Sequence, residues 1–436
     1  MADRYDVIVV GGGPAGCATA LSFARRGLRV LVLEALASPN DRLAGEWIHP
    51  VGAEVLAELG IDWSDRAHAT GHGFVVHPHD RSEPVVLRYA SGLRSISCAH
   101  RTLVEALRRR VSDTTSITIA SNARVTRVCD QQVVYTHVPT GSTSTAAADL
   151  IVGADGRASA VRSALRLSPG QIRLSHTAGV LLREVELPFE GFGHVLLGGP
   201  GPVLMYRLDG NSVRACFDFP YEQYRKGHHA HDIWSEYAPH IPHQLRPALK
   251  YALESGHIKW ASNGYRCRAQ HGKSGLALVG DAVGHCHPLT AIGLTMAFLD
   301  ARTLANAPTV ELYARERWRQ TRVPEMLSIS LYEIFAGTDN TSSRLREAVY
   351  GMWRNSAAER ARTMRLLGAE ETSQLRFNLA FLRGVAAAAG PSTKLPGPRQ
   401  PGLLKDLAHW TRWLGSASLL QGHRFPGYPR IHTRTA

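Results

Sequence analysis

The sequence predicts an α/β fold: a parallel sheet, a second mixed β-sheet inserted into it, and a helical C-terminal region. Three observations predict it. Asp6-Val7-Ile8-Val9-Val10 leads directly into Gly11-Gly12-Gly13-Pro14-Ala15-Gly16. Leu150-Ile151-Val152 leads into Gly153-Ala154-Asp155-Gly156, and Leu276-Ala277-Leu278-Val279 into Gly280-Asp281. Short, wholly apolar runs of this kind read as strands buried on both faces, as in parallel sheets.

The first run fixes the type of domain. The glycines follow the strand at G-x-G-x-x-G spacing, and Ala15 to Arg26 reads as a helix with small residues toward the strand. Gly11 permits the tight turn, Gly13 lets backbone approach a pyrophosphate, and Gly16 lets helix and strand pack closely. The phosphate charge then meets free N–H groups at a helix N-terminus. Arg29 to Leu33 reads as the second strand, ended by Glu34, where an acid accepts from an adenosine ribose. That acid favours an unphosphorylated ribose, hence FAD or NAD, in a Rossmann-like domain.

The later runs select FAD. Asp281 falls just past a buried strand, where a carboxylate binds the hydroxyls of a ribityl chain. Asp155 and Gly156 lie in a second strand-to-turn junction, with Arg157 and Arg162 as neighbouring cations. Gly293 to Ala305 reads as a helix whose opening amides stabilise negative charge on a reduced flavin ring. No second G-x-G-x-x-G follows a strand; Gly191-Phe192-Gly193 and the Gly198–Gly201 cluster read as hairpin turns. NAD(P)H therefore has no domain of its own and binds as a transient reductant.

The organisation follows. Residues 1–170 form the first part of the FAD-binding domain, with an irregular segment around 65–98. Residues 171–270 form a sheet over the flavin, with strands at 176–187, 194–197, 203–208, 213–219 and 259–267 and a helix from His231 to Ser255. Residues 271–325 re-enter the FAD domain, 326–389 are helical, and 390–436 form a Pro-rich linker and a basic tail. In that tail Leu403, Leu407, Trp410 and Leu414 share one helical stripe, with Lys405, His409 and Arg412 off it and Trp413 beside it. Such a helix lies in a lipid interface or packs back on its own protein.

Composition narrows the class. Six cysteines show no C-x-x-C pairing and no metal-ligand spacing, so no metal is expected and the thiols fit a reducing cytoplasm. No apolar run reaches 18 residues, and the first strand starts too early for a signal peptide. The expected location is cytoplasmic, with peripheral membrane contact as the alternative. The net charge of +13 rests almost wholly on arginine and reads chiefly as a solvated surface, or as attraction to an acidic membrane or carrier protein. No basic patch with interleaved aromatics marks a nucleic-acid site.

Further motifs carry a resemblance. Asp41-Arg42-Leu43-Ala44-Gly45-Glu46-Trp47-Ile48-His49-Pro50 is similar to the D-R-x-x-G-E-x-x-x-P stretch of the squalene epoxidase branch of single-component (group A) flavoprotein monooxygenases. His287-Pro288-Leu289-Thr290, with Gly293, Thr295 and Asp300, resembles that branch's H-P-L-T-G-G-G-M-T segment, and Leu331-Tyr332-Glu333-Ile334-Phe335 its C-terminal helices. The resemblance implies FAD contacts at Pro14, Ala15, Glu34, Arg42, Arg101, Val125, Asp281 and Leu294. The departures are Ala291 and Ile292 where glycines are common, Phe74 where a tyrosine is expected, and no strongly apolar C-terminal anchor.

The implied chemistry is insertion of one atom of O2 through a flavin C4a-hydroperoxide, most simply epoxidation of an alkene in an isoprenoid or polyketide polyene. It needs no protein nucleophile, only exclusion of water and a held double bond. His49, His285 and His287 are candidates for acid–base work, His287 foremost as the catalytic candidate, each against the plainer reading of a satisfied structural histidine. Phe74, Leu204, Tyr206, Phe217, Phe219 and Leu289 are candidate substrate walls, against the plainer reading of core. An aromatic hydroxylase of a lipophilic or prenylated aromatic and a geranylgeranyl-reductase-like FAD reductase are the alternatives, and a separate flavin reductase is an alternative electron source. A flavin halogenase is disfavoured: there is no W-x-W-x-I-P segment and no lysine before residue 226.

Overall fold

A strand with no polar residue between Val7 and Val10 has to sit mid-sheet, and Arg4–Val10 does so. In the computed structural model, which describes residues 4–129, 131–167, 170–221, 230–273, 275–389, 408, 410 and 411, it is central to an eight-stranded sheet. Across that sheet run Gly272–Lys273, Leu276–Leu278, Thr143–Gly153, Arg4–Val10, Val30–Glu34 and Ile117–Ser121. All but the first are parallel to their neighbours. An antiparallel hairpin, Ala123–Cys129 with Gln132–His137, pairs with the outer half of Thr143–Gly153.

Register positions the chemistry. Val10 lies opposite both Leu33 and Gly153, and Gly153 lies opposite Leu278. All three glycine/acid turns therefore leave the sheet at one level, at the carboxyl ends of their strands, where open α/β sheets bind ligands.

The second sheet has seven strands in the order Lys259–Tyr265, Ile172–Arg183, Ser212–Pro220, Val203–Arg207, Phe192–Leu196, Gly73–His77 and Val85–Arg88. Its last two strands come from the stretch read as irregular around 65–98, where short strands alternate with loops: Gly73–His77 runs parallel to Phe192–Leu196 and antiparallel to Val85–Arg88. Phe74-Val75-Val76 carries the β-branched signal for this, but its partner lies more than 100 residues on. Gly191-Phe192-Gly193 is the entry to a strand rather than a hairpin turn, whereas Gly198–Gly201 does join antiparallel partners. The helix expected over His231–Ser255 is two, Ala230–Tyr237 and Arg246–Glu254. Pro239 and Pro242 fall between them, lacking the N–H that a continuous helix needs.

Helices Val310–Ala336, Asn340–Asn355, Ala357–Leu367 and Gln374–Ala389 close the chain's described part. The tail stripe lies outside the described residues except for Trp410, which is buried 5.8 Å (ring centroids) from Phe381 of the last helix. That residue packs on its own protein. No described helix is long and apolar enough to cross a membrane.

Candidate functional site

The first turn is shaped by two glycines. Gly11 sits at φ +103°, and a Cβ on Gly16 would lie 1.8 Å from the Gly11 carbonyl oxygen, so neither tolerates a side chain. Gly13 and Gly293 differ: a Cβ on either meets nothing within 4 Å. The backbone is thus open at the two helix N-termini, Pro14–Ala24 and Gly293–Asn306, where a pyrophosphate and a flavin ring require approach. Asp281 is half-exposed, its carboxylate 3.3 Å from Arg157 Nε. These residues fit a bound dinucleotide: tight where chain meets chain, open where it meets ligand.

At the adenosine end, Glu34 Oε2 accepts from Gly12 N at 2.6 Å and Oε1 accepts from Leu36 N at 2.8 Å. Arg108 braces the same corner, donating to Gly12 O at 2.9 Å and lying 3.3 Å from Glu34. It was not anticipated from sequence, because its helix, His100–Ser112, reads as a plain amphipathic surface helix. Val125 is half-buried, four residues beyond Ser121, the register partner of Glu34. Arg42 is exposed and makes no ion pair among the described residues. Arg101 is exposed and holds Glu105 at 2.7 Å, one helical turn on.

Behind Gly280 lies a buried charge network. Asp300 accepts from Gly280 N at 2.8 Å and Arg317 Nε at 2.8 Å, and pairs with Arg268. Arg268 in turn donates to Gly280 O and Gly284 O, both at 2.9 Å. Burial pushes the Asp300 carboxyl up, but the two guanidiniums outweigh it and hold it below the usual range. Arg162 ties the second turn to the third, donating to Ala282 O at 2.9 Å. Asp155 faces inward and accepts from Ala160 N at 2.7 Å, ordering the short helix Ala160–Ala164. The second and third turns are therefore clamped together by a side chain as well as by register.

The histidines divide. The Leu289 N–H donates to His287 Nδ1 (3.2 Å), so Nε2 carries the proton, toward Asp218 Oδ1 (3.0 Å) and Ser175 Oγ (2.9 Å). Its ring stacks on Tyr332 at 3.8 Å. With both nitrogens engaged and the ring covered, His287, the catalytic candidate, fixes the Pro288–Thr290 turn to the second sheet, an arrangement that suits positioning. His49 is likewise satisfied: Nε2 donates to Thr290 O (2.9 Å) and Nδ1 accepts from Tyr89 OH (2.7 Å), which accepts from Trp47 Nε1 (3.2 Å). His285 departs from the satisfied reading. It is buried, and neither ring nitrogen has a hydrogen-bond partner among the described residues.

Burial pushes His49, His77, His194 and His285 each down to about 4, with Arg157 and other cations adding to it at His285. Between pH 6.5 and 4 the unfolded chain binds protons that these folded histidines refuse, so unfolding free energy rises with pH across that window. Stability is expected to fall steeply as pH drops through it, and His194→Asn is expected to flatten the slope. Chemical denaturation at a series of pH values checks this; a flat profile contradicts it.

The candidate substrate walls separate by strand alternation. Phe74, Leu204, Tyr206 and Leu289 share one apolar cluster with Trp47, whose ring lies 5.1 Å from Phe74 and 6.0 Å from Tyr206. Phe217 and Phe219 are corrected: they project to the sheet's opposite face and pack on Tyr237 at 5.2 and 5.1 Å. On Ser212–Pro220, Arg214, Cys216 and Asp218 alternate with them and face the other way. Arg214 meets Glu46 with two bonds of 2.9 Å, and Tyr206 OH donates to Glu46 at 3.0 Å. The Gly45-Glu46 segment also seats on the last turn's helix, since a Cβ on Gly45 would lie 2.7 Å from Leu294.

Ala291 follows the His287 turn at φ +51°, a left-handed conformation that costs an L-residue roughly 1–2 kcal/mol. Glycine removes that strain but carries an entropic cost of roughly 0.5–1 kcal/mol. Ala291→Gly is therefore expected to be neutral or stabilising in a thermal melt; a clear drop contradicts the strain argument.

Comparison with known proteins gives the chain's family and fold. The squalene epoxidase family model matches residues 147–386, and an FAD-dependent oxidoreductase model matches residues 6–68. Squalene epoxidase 3 of Arabidopsis thaliana is 29% identical over 373 residues, covering 79% of this chain and 70% of the relative. Squalene monooxygenase of Mus musculus is 28% identical over 373 residues, covering 79% and 64%. Among solved structures, PqsL, a probable FAD-dependent monooxygenase from Pseudomonas aeruginosa, superposes with a TM-score of 0.63 at 18% identity over 83% of this chain and 99% of its own. The flavin-dependent brominase Bmp2 gives 0.70 at 15% identity over 88% and 98%. At those identities the structures share the fold alone.

Proposed function

The chain belongs to the squalene epoxidase family and is an FAD-dependent monooxygenase, and from that premise we propose that it epoxidises an alkene in a lipophilic isoprenoid or polyketide. Held in this site, FAD would supply the redox chemistry that activates O2 for transfer of one oxygen atom. The residues of this chain do the rest. The amides of Gly13, Ala15 and Gly16 and the Pro14–Ala24 dipole would hold the pyrophosphate, Glu34 the ribose and Asp281 the ribityl hydroxyls. The Gly293–Asn306 helix stabilises charge at the ring.

The single observation carrying the choice of an alkene is the ring of apolar side chains, Trp47, Phe74, Leu204, Tyr206 and Leu289, beside the Pro288–Thr290 turn. The two histidines fastened to that turn, His49 and His287, are both spoken for. Phenol hydroxylation gains from a base that ionises the substrate, whereas an alkene needs only position and dryness. Incubation with lipophilic extracts under labelled dioxygen tests this. One labelled oxygen in an epoxide is expected; a labelled phenol, or turnover without oxygen, overturns it.

Contact with a membrane surface is supported by Leu375, Leu379 and Leu382, exposed at helical spacing on Gln374–Ala389. Sedimentation with phospholipid vesicles is expected to be lost on replacing all three by serine.

A further inference from the structure

A cavity of about 610 Å³ opens on the far side of the apolar cluster, between the edge strand Val85–Arg88 and the helices Asn340–Asn355 and Ala357–Leu367. Its size suits a drug-sized ligand. Val85, Trp353 and Met364 of its lining belong to the same buried cluster as Trp47, Phe74 and Leu289. Tyr89 also lines it, and the Tyr89 hydroxyl is the one that bonds Trp47 and His49. Tyr89 thus connects the cavity, through His49, to the Thr290 carbonyl.

The polar lining is lopsided. Arg88, Arg354, Arg360 and Arg365 all line the cavity, against Glu83 and Glu370. None of the four guanidiniums is in an ion pair with a carboxylate among the described residues. Arg354 donates to Ser82 Oγ and Glu83 O, Arg360 to the Trp353 and Arg354 carbonyls, and Arg88 lies 4.7 Å over the Phe192 ring. These partners are neutral and orient the guanidiniums without cancelling their charge. Arg365 does feel the carboxylates of Glu370 and Glu371, but four guanidiniums against two lining carboxylates leave the rim of an apolar hollow net cationic; an oxyanion on a lipophilic body satisfies both halves at once.

We propose that this cavity receives the substrate, and that the substrate carries an anionic group, a carboxylate or a phosphate, held by these arginines while its apolar body runs toward Tyr89. The proposal rests on the monooxygenase reading and specifies its substrate class. The anion selects and orients the molecule at the cavity, and the alkene is presented at the other end.

Equilibrium dialysis of the oxidised holoenzyme against farnesoic acid, farnesyl phosphate and farnesol tests it. The three share one isoprenoid body and differ in the head. Both anions are expected to bind about tenfold or more tightly than the alcohol, and the stronger of the two identifies the head group. The preference should vanish in R88Q/R365Q with farnesol binding unchanged, and return largely in R88K/R365K. Rising salt should erode it in the unaltered protein, a readout that stands even if the double variant fails to fold. Equal binding of acid and alcohol, or a preference indifferent to salt or surviving R88Q/R365Q, overturns the proposal. Dialysis uses neither reductant nor oxygen, so its failure leaves the oxygenation reading intact, and failure to oxygenate leaves the dialysis result intact.

Discussion

Asp300→Asn is expected to be the most damaging single change, lowering unfolding free energy by about 3–5 kcal/mol. The reason lies in what remains. Arg268 and Arg317 are 1% and 2% exposed, and Asp300 is the carboxylate both of them hold. Asparagine keeps the shape but strands two guanidiniums away from water. The Gly280 N–H loses its charged acceptor as well, and the turn bearing Asp281 loosens. Folded protein should therefore also carry less flavin. Denaturant titration with a parallel flavin assay reads both effects; a loss under about 1 kcal/mol would show that the network carries little of the stability. Acid acts in the same direction. Because its folded pKa lies below the unfolded value, Asp300 contributes in full above the usual carboxylate range and loses that contribution as pH falls through the depressed value.

Asp281→Ala is expected to act on binding with little effect on the fold. Its carboxylate is half-exposed and its ion-pair partner among the described residues, Arg157, is partly exposed too, so the chain gives up little when it goes. The ribityl chain loses its acceptor, and flavin affinity should fall about tenfold to a hundredfold, from one or two charged hydrogen bonds. Purified D281A should be depleted of flavin yet melt, as apoprotein, within a few degrees of the unaltered apoprotein. Full flavin occupancy contradicts the assigned contact; a collapse in apoprotein stability would make Asp281 structural.

The contrast between these carboxylates shows what was legible in the sequence. Asp281, Glu34 and the glycine turns announce themselves locally, because a strand, a turn and a helix follow one another within a few residues. Asp300 was seen only as part of a motif, since its partners Arg268 and Arg317 come from either side in sequence and meet it only on folding. Arg108 and the Glu46–Arg214 pair were hidden for the same reason: their partners lie 74 to 168 residues away. Phe217 and Phe219 show a different limit. Period-two alternation places them on one face of their strand, but which face looks at the flavin depends on how the second sheet docks. Gly73–His77 was hard to read because its parallel partner arrives more than a hundred residues later, whereas Val85–Arg88 pairs antiparallel with Gly73–His77 itself, a local hairpin whose two apolar runs were legible.

The account stands most directly on one titration: purified chain, freed of flavin, against FAD. A stoichiometric, non-covalent complex is predicted, with the yellow spectrum of a sheltered flavin and a melting temperature that rises with FAD concentration. Protein that remains colourless and melts at the same temperature at every FAD concentration would contradict it.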